Sequence, residues 1–189
     1  MTQLLDKSIE QRFIHAVVSW ESFKAIQKGF TDSPSVRLFY YQGELEILST
    51  SPEHEIFKGN IGFLVEDYML NLGLEFVATG SFSLEKEEVA SAQADESYCF
   101  NEKKPIPDLA IEVVITSGGT NKLKRYQALG VQEVCFWENS TISIYQLSAT
   151  GYANVDGSQF LKGINLDLLA QCAATESRPQ AVRKFRRGL

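Results

Sequence analysis

Apolar and polar positions divide the chain into short strand-like runs broken by a few helical stretches. VRLFYY (Val36–Tyr41) and ELEILS (Glu44–Ser49) are rich in β-branched and aromatic residues and meet at Gln42-Gly43, the pattern of a hairpin. Between Pro52 and Gly73, Phe57, Ile61, Leu64, Val65, Tyr68 and Leu72 recur at helical spacing, with Ser51-Pro52 as a start and Gly73 as a stop. A shorter helix is predicted over 19–28, opened by Ser19 and closed by Gly29. Residues 75–79 and 81–84 read as further strands, whereas EKEEVASAQADE (85–96) is polar and irregular and predicts an exposed loop.

The second half is more regular. DESYCF (95–100) and DLAIEVVI (108–115) are strand-like, and the latter is apolar throughout except at Glu112, the pattern of a strand covered on both faces. Ser117-Gly118-Gly119 breaks it, a helix is predicted over 120–129 with Gly130 as its stop, and 133–137 and 141–147 form a second hairpin. A last helix is predicted over 166–174. This order predicts an α/β (α+β) domain with a mixed, mainly antiparallel central sheet flanked by helices. Its expected parts are a helical lead-in over 1–35, the domain over 36–175 and a basic tail over 176–189.

Composition narrows the chemistry. With 189 residues and 44% hydrophobic content, the chain can bury one real core. No run approaches the ~20 apolar residues of a membrane helix, and MTQLLDKSIEQRF lacks the basic start and apolar run of a secretory signal. Cys99, Cys135 and Cys172 are odd in number and contain no C-x-x-C, which predicts reduced thiols and a cytoplasmic setting. The two histidines, His15 and His54, are too few for most transition-metal sites, so carboxylates and lysine are the expected tools. Charge is uneven. Residues 178–189 hold five cations and no acid, which leaves 13 cations against 24 acids in 1–177, a net of −11. An acidic body disfavours a polyphosphate partner; the basic tail reads either as a phosphate-contacting arm or as a solvated terminus.

Glu112 is the anomaly, because an unpaired carboxylate inside LAIEVVI is costly to bury. Asp95 opens the preceding strand, and the loop over 101–107 can return the chain so that both acids reach one sheet edge, an arrangement that suits Mg²⁺. Lys122 follows ten residues after Glu112, where the next helix can aim it back at the site. The alternatives are a structural ion pair for Glu112 and a solvated helix lysine for Lys122, which has Lys124 and Arg125 beside it. Gly118-Gly119 lacks the Lys-Ser/Thr of a P-loop and reads as a tight turn.

ADESYCF, PIPDLAIEVV and KLKRYQALGVQEVCFW, with YYQGELEILSTSPEHE upstream, resemble in order the motifs of the Uma-two family, within the PD-(D/E)xK nuclease superfamily with a restriction-endonuclease-like fold. The resemblance implies a Mg²⁺- (or Mn²⁺-) dependent endonuclease acting on DNA. In it Asp95, Glu112 and the carbonyl of Val113 hold the metal and Lys122 stands for the motif lysine, whose usual place is taken by Val114. His54 matches the family histidine and Glu44 the acid of the D-G-E-L block. Two positions depart: Ala94 replaces a proline and Gln42 an aspartate. Asp108 is set aside as a ligand, because four residues along a strand separate it too far from Glu112. The competing expectation is a catalytically degenerate fold serving as a binding or assembly module. The aromatic hairpin over 133–147 is expected to leave a sheet edge open to a second copy, giving a homodimer.

Overall fold

A computed structural model describes residues 9–81, 83–115 and 122–189. Two sheets lie at its centre. The first has the order β1-β3-β2-β6-β5 and is antiparallel throughout: β1 is Gln11–His15, β2 Val36–Tyr41, β3 Glu44–Ser49, β5 Ser83–Lys86 and β6 Ala90–Gln93. The second has the order β11-β10-β9-β8-β7-β4, with β4 Phe76–Ala78, β7 Glu96–Phe100, β8 Leu109–Val114, β9 Glu133–Glu138, β10 Thr141–Ser148 and β11 Gly151–Val155. Only β8 and β9 pair in parallel, as the crossover through helix α3 (Leu123–Leu129) requires.

Local chemistry explains most of these elements. Helix α1 (Trp20–Gly29) starts where the Ser19 hydroxyl accepts from the Ser22 amide at 3.2 Å. The β2–β3 turn holds Gln42 and Gly43 both at positive φ (46° and 91°), the backbone of a two-residue hairpin. Helix α2 (Pro52–Asn71) has proline in its first turn and Ser51 accepting from the His54 amide at 3.2 Å. Helix α3 ends at Gly130, whose φ of 84° most side chains resist.

Strand alternation distributes β8 between two cores. Leu109, Ile111 and Val113 face a cluster built with α2, α4 (Leu166–Ala173) and α5 (Arg178–Arg187). Ala110 and Val114 face the other way, into a cluster with Phe39, Leu48, Tyr126 and Phe136 that joins the two sheets and α3. Glu112 shares the inter-sheet side by the same alternation. Helix α1 covers the outer face of the first sheet through Phe23, Leu38, Tyr40 and Leu45.

Four expectations are corrected. Residues 85–96 are not an open loop: they contain β6, whose Ala90, Ser91 and Ala92 are buried between β5 and β2. The lead-in holds β1 as well as a helix, and β1 pairs with β3 from Gln11↔Ser49 to His15↔Leu45. The basic tail is helix α5, docked by the fully buried Ala181 and Phe185. The 133–147 hairpin leaves no edge at β10, because β11 pairs along it from Ile144↔Val155 to Ser148↔Gly151. The break at 117–119 and the start of the helix expected from 120 lie outside the described residues. No helix among the described residues is long and apolar enough to cross a membrane. The three cysteines are free and buried.

Candidate active site

The entry to β7 and the middle of β8 lie side by side. The Asp95 amide donates to the Ile111 carbonyl at 3.0 Å, and Asp95 Oδ2 accepts from the Val113 amide at 2.6 Å, so the Asp95 carboxylate sits one residue from Glu112 along the neighbouring strand. Both acids are fully buried, and each is matched by cations. Glu112 Oε2 accepts from Lys122 Nζ at 2.6 Å, and Glu112 Oε1 accepts from the Tyr126 hydroxyl. Lys122 caps α3 and Tyr126 lies one turn on, so both reach the same carboxylate. Asp95 Oδ1 accepts from Arg37 Nη1 on β2 and lies 2.7 Å from His54 Nε2.

The histidine is held at both ring nitrogens, since Nδ1 lies 2.9 Å from Glu10 Oε2. Burial opposes its charged form, but the hydrogen bonds to Asp95 and Glu10 outweigh that and raise its pKa to about 9, so His54 donates through both nitrogens. Burial likewise opposes ionised Asp95, and the Arg37 guanidinium and His54 overcome it, holding the carboxyl well below the usual range. Burial, with the neighbouring Glu112 carboxylate, pushes the Tyr126 hydroxyl far above its usual range, which keeps it a donor.

A second buried group adjoins the first. Glu46 on β3 accepts from Arg12 Nε at 2.8 Å and from Arg125 Nη2. Burial resists the charge on Glu46, but the two guanidinium groups bring its pKa down to about 2. Lys122 Nζ and the Arg125 guanidinium both lie over the Phe39 ring, at 5.4 and 5.1 Å from its centroid, which ties the two groups together. One Arg125 nitrogen, Nη1, is buried with no hydrogen-bond partner among the described residues. The interior between the sheets thus gathers Arg12, Arg37, His54, Lys122 and Arg125 against Glu10, Glu46, Asp95 and Glu112. Four buried cations, Arg37, His54, Lys122 and Arg125, meet four buried acids there, with Arg12 partly exposed beside them, although the chain as a whole is at −6.

Of the residues singled out from sequence, Asp95, Glu112, Lys122 and His54 meet in this cluster. The Val113 amide is spent on Asp95. Glu44 stands apart from the two acids: its side chain is half exposed and lies 3.6 Å from Arg125. Asp108 is indeed elsewhere, accepting from the Phe100 amide and from Lys104 Nζ at 2.6 Å. Sequence reasoning missed Arg37, Tyr126, Glu10, Arg12, Glu46 and Arg125. Arg37 in VRLFYY and Glu46 in ELEILS carry the signal that exposed Glu112, a charge inside an apolar strand.

The donor set is of the hard-oxygen kind that Mg²⁺ and Mn²⁺ take, two carboxylates with a backbone carbonyl at hand. Among the described residues, no three His, Cys, Asp or Glu side chains gather as a metal-holding group. Both oxygens of each acid already accept from protein donors. Two carboxylates suffice for an ion that keeps water and phosphate oxygens as its other ligands, so the residues fit it once the lysine and the Arg37–His54 pair yield lone pairs. A cavity of about 600 Å³, lined by Val36, Ser51 and Glu55 among others, lies beside the cluster; Glu55 Oε1 is 3.5 Å from Arg37 Nη2.

The fold is nuclease-like. A crystal structure of a protein titled a putative nuclease belonging to DUF820, from Anabaena variabilis ATCC 29413, superposes with a TM-score of 0.58 at 12% identity, covering 84% of this chain and 99% of that one. The chain belongs to the Uma2 family, described as "Putative restriction endonuclease", whose model matches residues 20–176. No curated protein matches it.

Proposed function

We propose that this protein is a divalent-metal-dependent phosphodiesterase that cuts DNA. One observation carries the proposal: two carboxylates from adjacent strands, Asp95 and Glu112, are buried side by side against a lysine, an arginine and a charged histidine, in the fold of a nuclease family. Asp95, Glu112 and the Val113 carbonyl are the residues that would hold the ion. Bound there, Mg²⁺ or Mn²⁺ would supply positive charge to a phosphoryl oxygen and acidity to water.

The chain's own groups do the rest. Lys122 Nζ, 2.6 Å from Glu112 in the resting site, orients the attacking water and offsets charge as the phosphate becomes pentacoordinate. Arg37 and His54 keep Asp95 ionised and pointed at β8. Tyr126 fixes the Glu112 rotamer and cannot act as a base, because its proton is held far above neutral pH. Glu44, at the rim beside Arg125, orders that guanidinium rather than touching the acids. The buried cations match the buried acids one for one, so the cluster itself carries none of the body's excess negative charge.

Incubation with supercoiled plasmid and with labelled oligonucleotides in Mg²⁺ or Mn²⁺ tests the proposal. Nicking that disappears in Asp95→Ala supports it. Intact substrate under both metals, with no metal-dependent change in the protein, ends it. The saturation of all four carboxylate oxygens by protein donors favours a second reading, a degenerate nuclease fold that binds without cutting. The two part at metal binding, which only the first requires.

A further inference from the structure

Helix α5 carries five cations in ten residues, Arg178, Arg183, Lys184, Arg186 and Arg187, all exposed, and no acid. Its apolar side is fully used inside the protein, with Ala181 and Phe185 at 0% exposure. A helix whose apolar stripe is spent in this way has nothing left to insert into a lipid surface. Part of its charge is structural: Arg186 donates to Asp67 through Nε at 2.9 Å, and Arg178 Nε bonds Asn60 Oδ1 at 3.3 Å. Arg183 and Arg187 make no hydrogen bond or ion pair with any described residue. They sit four apart on the outward side, where like charges weaken a helix. The fold gains nothing from that pair. The family match ends at residue 176, just before α5.

From this we infer that α5 is a docking surface for the phosphate backbone of a nucleic acid, with Arg183 and Arg187 as its free contacts. The identity of the polyanion rests on the phosphodiesterase reading above; the surface itself does not. Helix α5 runs beside α2 from Asn60 to Asp67, and His54 of the site opens the same α2. At 1.5 Å per residue, the α5 contacts begin about 9 Å along α2 from His54 and continue for about 10 Å more. Because α5 and Glu112 lie against opposite faces of β8, this surface is separate from the reacting centre. In a chain that is otherwise strongly acidic, α5 carries five cations and no acid, the charge needed to displace counterions from a polyphosphate.

The test is equilibrium binding of a short DNA duplex and of a single-stranded RNA, by fluorescence anisotropy in EDTA across a fourfold range of KCl. It uses the full chain and the double variant Arg183→Gln/Arg187→Gln. Glutamine keeps the helix propensity, and circular dichroism with a melting curve checks the fold. Loss of two phosphate contacts lowers the log–log salt slope on the duplex by about 1.8, so the wild-type advantage grows about twelvefold from the highest salt to the lowest. The DNA and RNA arms show which backbone is taken. Unchanged affinity and slope in the double variant overturn the inference, as does wild-type binding to phosphatidylserine vesicles but to neither nucleic acid. Hydrolysis of a small aryl phosphodiester in Mg²⁺ is read alongside. It stays unchanged in the double variant, and its absence from the wild type counts against the site while leaving the slope result to judge α5.

Discussion

Replacing Lys122 by methionine removes the ammonium and keeps much of the side-chain volume. The structure fixes the size of the effect. Lys122 Nζ and Glu112 Oε2 are 2.6 Å apart, with side-chain exposures of 8% and 1%. At an effective dielectric of about 20, their gross attraction is about 6 kcal/mol, much of it offset by the cost of desolvating both groups. What the single variant exposes is the other side of that balance: a buried carboxylate left with the Tyr126 hydroxyl alone, for which about 3–5 kcal/mol of lost stability is expected. For a chain of this size that is a fall in Tm of roughly 6–20 °C. Adding Glu112→Gln removes the stranded charge, so the double variant recovers at least about 2 kcal/mol of the loss, a coupling that urea denaturation of all four proteins measures. Saturating Mg²⁺ also raises the Tm of Lys122→Met more than that of the wild type, because a bound cation takes the place of the missing one. A single variant within about 1 kcal/mol of wild type, or a double variant no better than the single, refutes the buried pair.

Three further outcomes follow from the same geometry. The His54 pKa is raised to about 9, so its contribution to stability is complete below about 6.5 and is lost as pH rises through about 9; urea midpoints across that window fall, and His54→Gln flattens the fall. Burial raises the Glu96 carboxyl to about 7, so the folded state holds a proton that the unfolded state releases near 4.5. Stability therefore declines between those values as pH rises, and Glu96→Gln removes that part of the decline. Phe185→Ala empties a fully buried site under α5 and costs about 3–5 kcal/mol by chemical denaturation, whereas a cost below about 1 kcal/mol would mean that the C-terminal helix is not docked.

Periodicity was informative where an element buries one face and carries its own punctuation. Helix α2 has Ser51-Pro52 before it and Ile61, Leu64, Val65 and Tyr68 buried within it at helical spacing, although Leu72 at its end is exposed; β8 is apolar because it lies inside the sheet between β7 and β9. The misses have the opposite character. Strand β1 is an edge whose Phe13 and Ile14 remain 58% and 45% exposed, so its sequence lacks the alternation of a half-buried strand. Strand β6 is built from Ala90, Ser91 and Ala92, buried by what packs over them and not by their own propensity. Helix α5 spends only Ala181, Val182 and Phe185 on the core, too few to stand out among its cations.

The site shows the same division. Asp95, Glu112, Lys122 and His54 were legible through ordered motifs and one misplaced charge. Their partners were not, because pairing is non-local: Arg37 is 58 residues from Asp95, and Glu10 is 44 from His54. Sequence could flag Glu112 as needing compensation. It could not say that Tyr126 shares that work with Lys122, nor that Glu44 would stand at the rim while its neighbour Glu46 is buried.

Calorimetric titration of Mn²⁺ into the purified chain addresses the pair of carboxylates without depending on any substrate. One divalent ion should bind per chain in the wild type, and binding should vanish in Asp95→Ala and in Glu112→Gln while both variants stay folded. No heat of binding in the wild type, or binding that survives both substitutions, would mean that Asp95 and Glu112 are held only by Arg37, His54 and Lys122 and serve no metal.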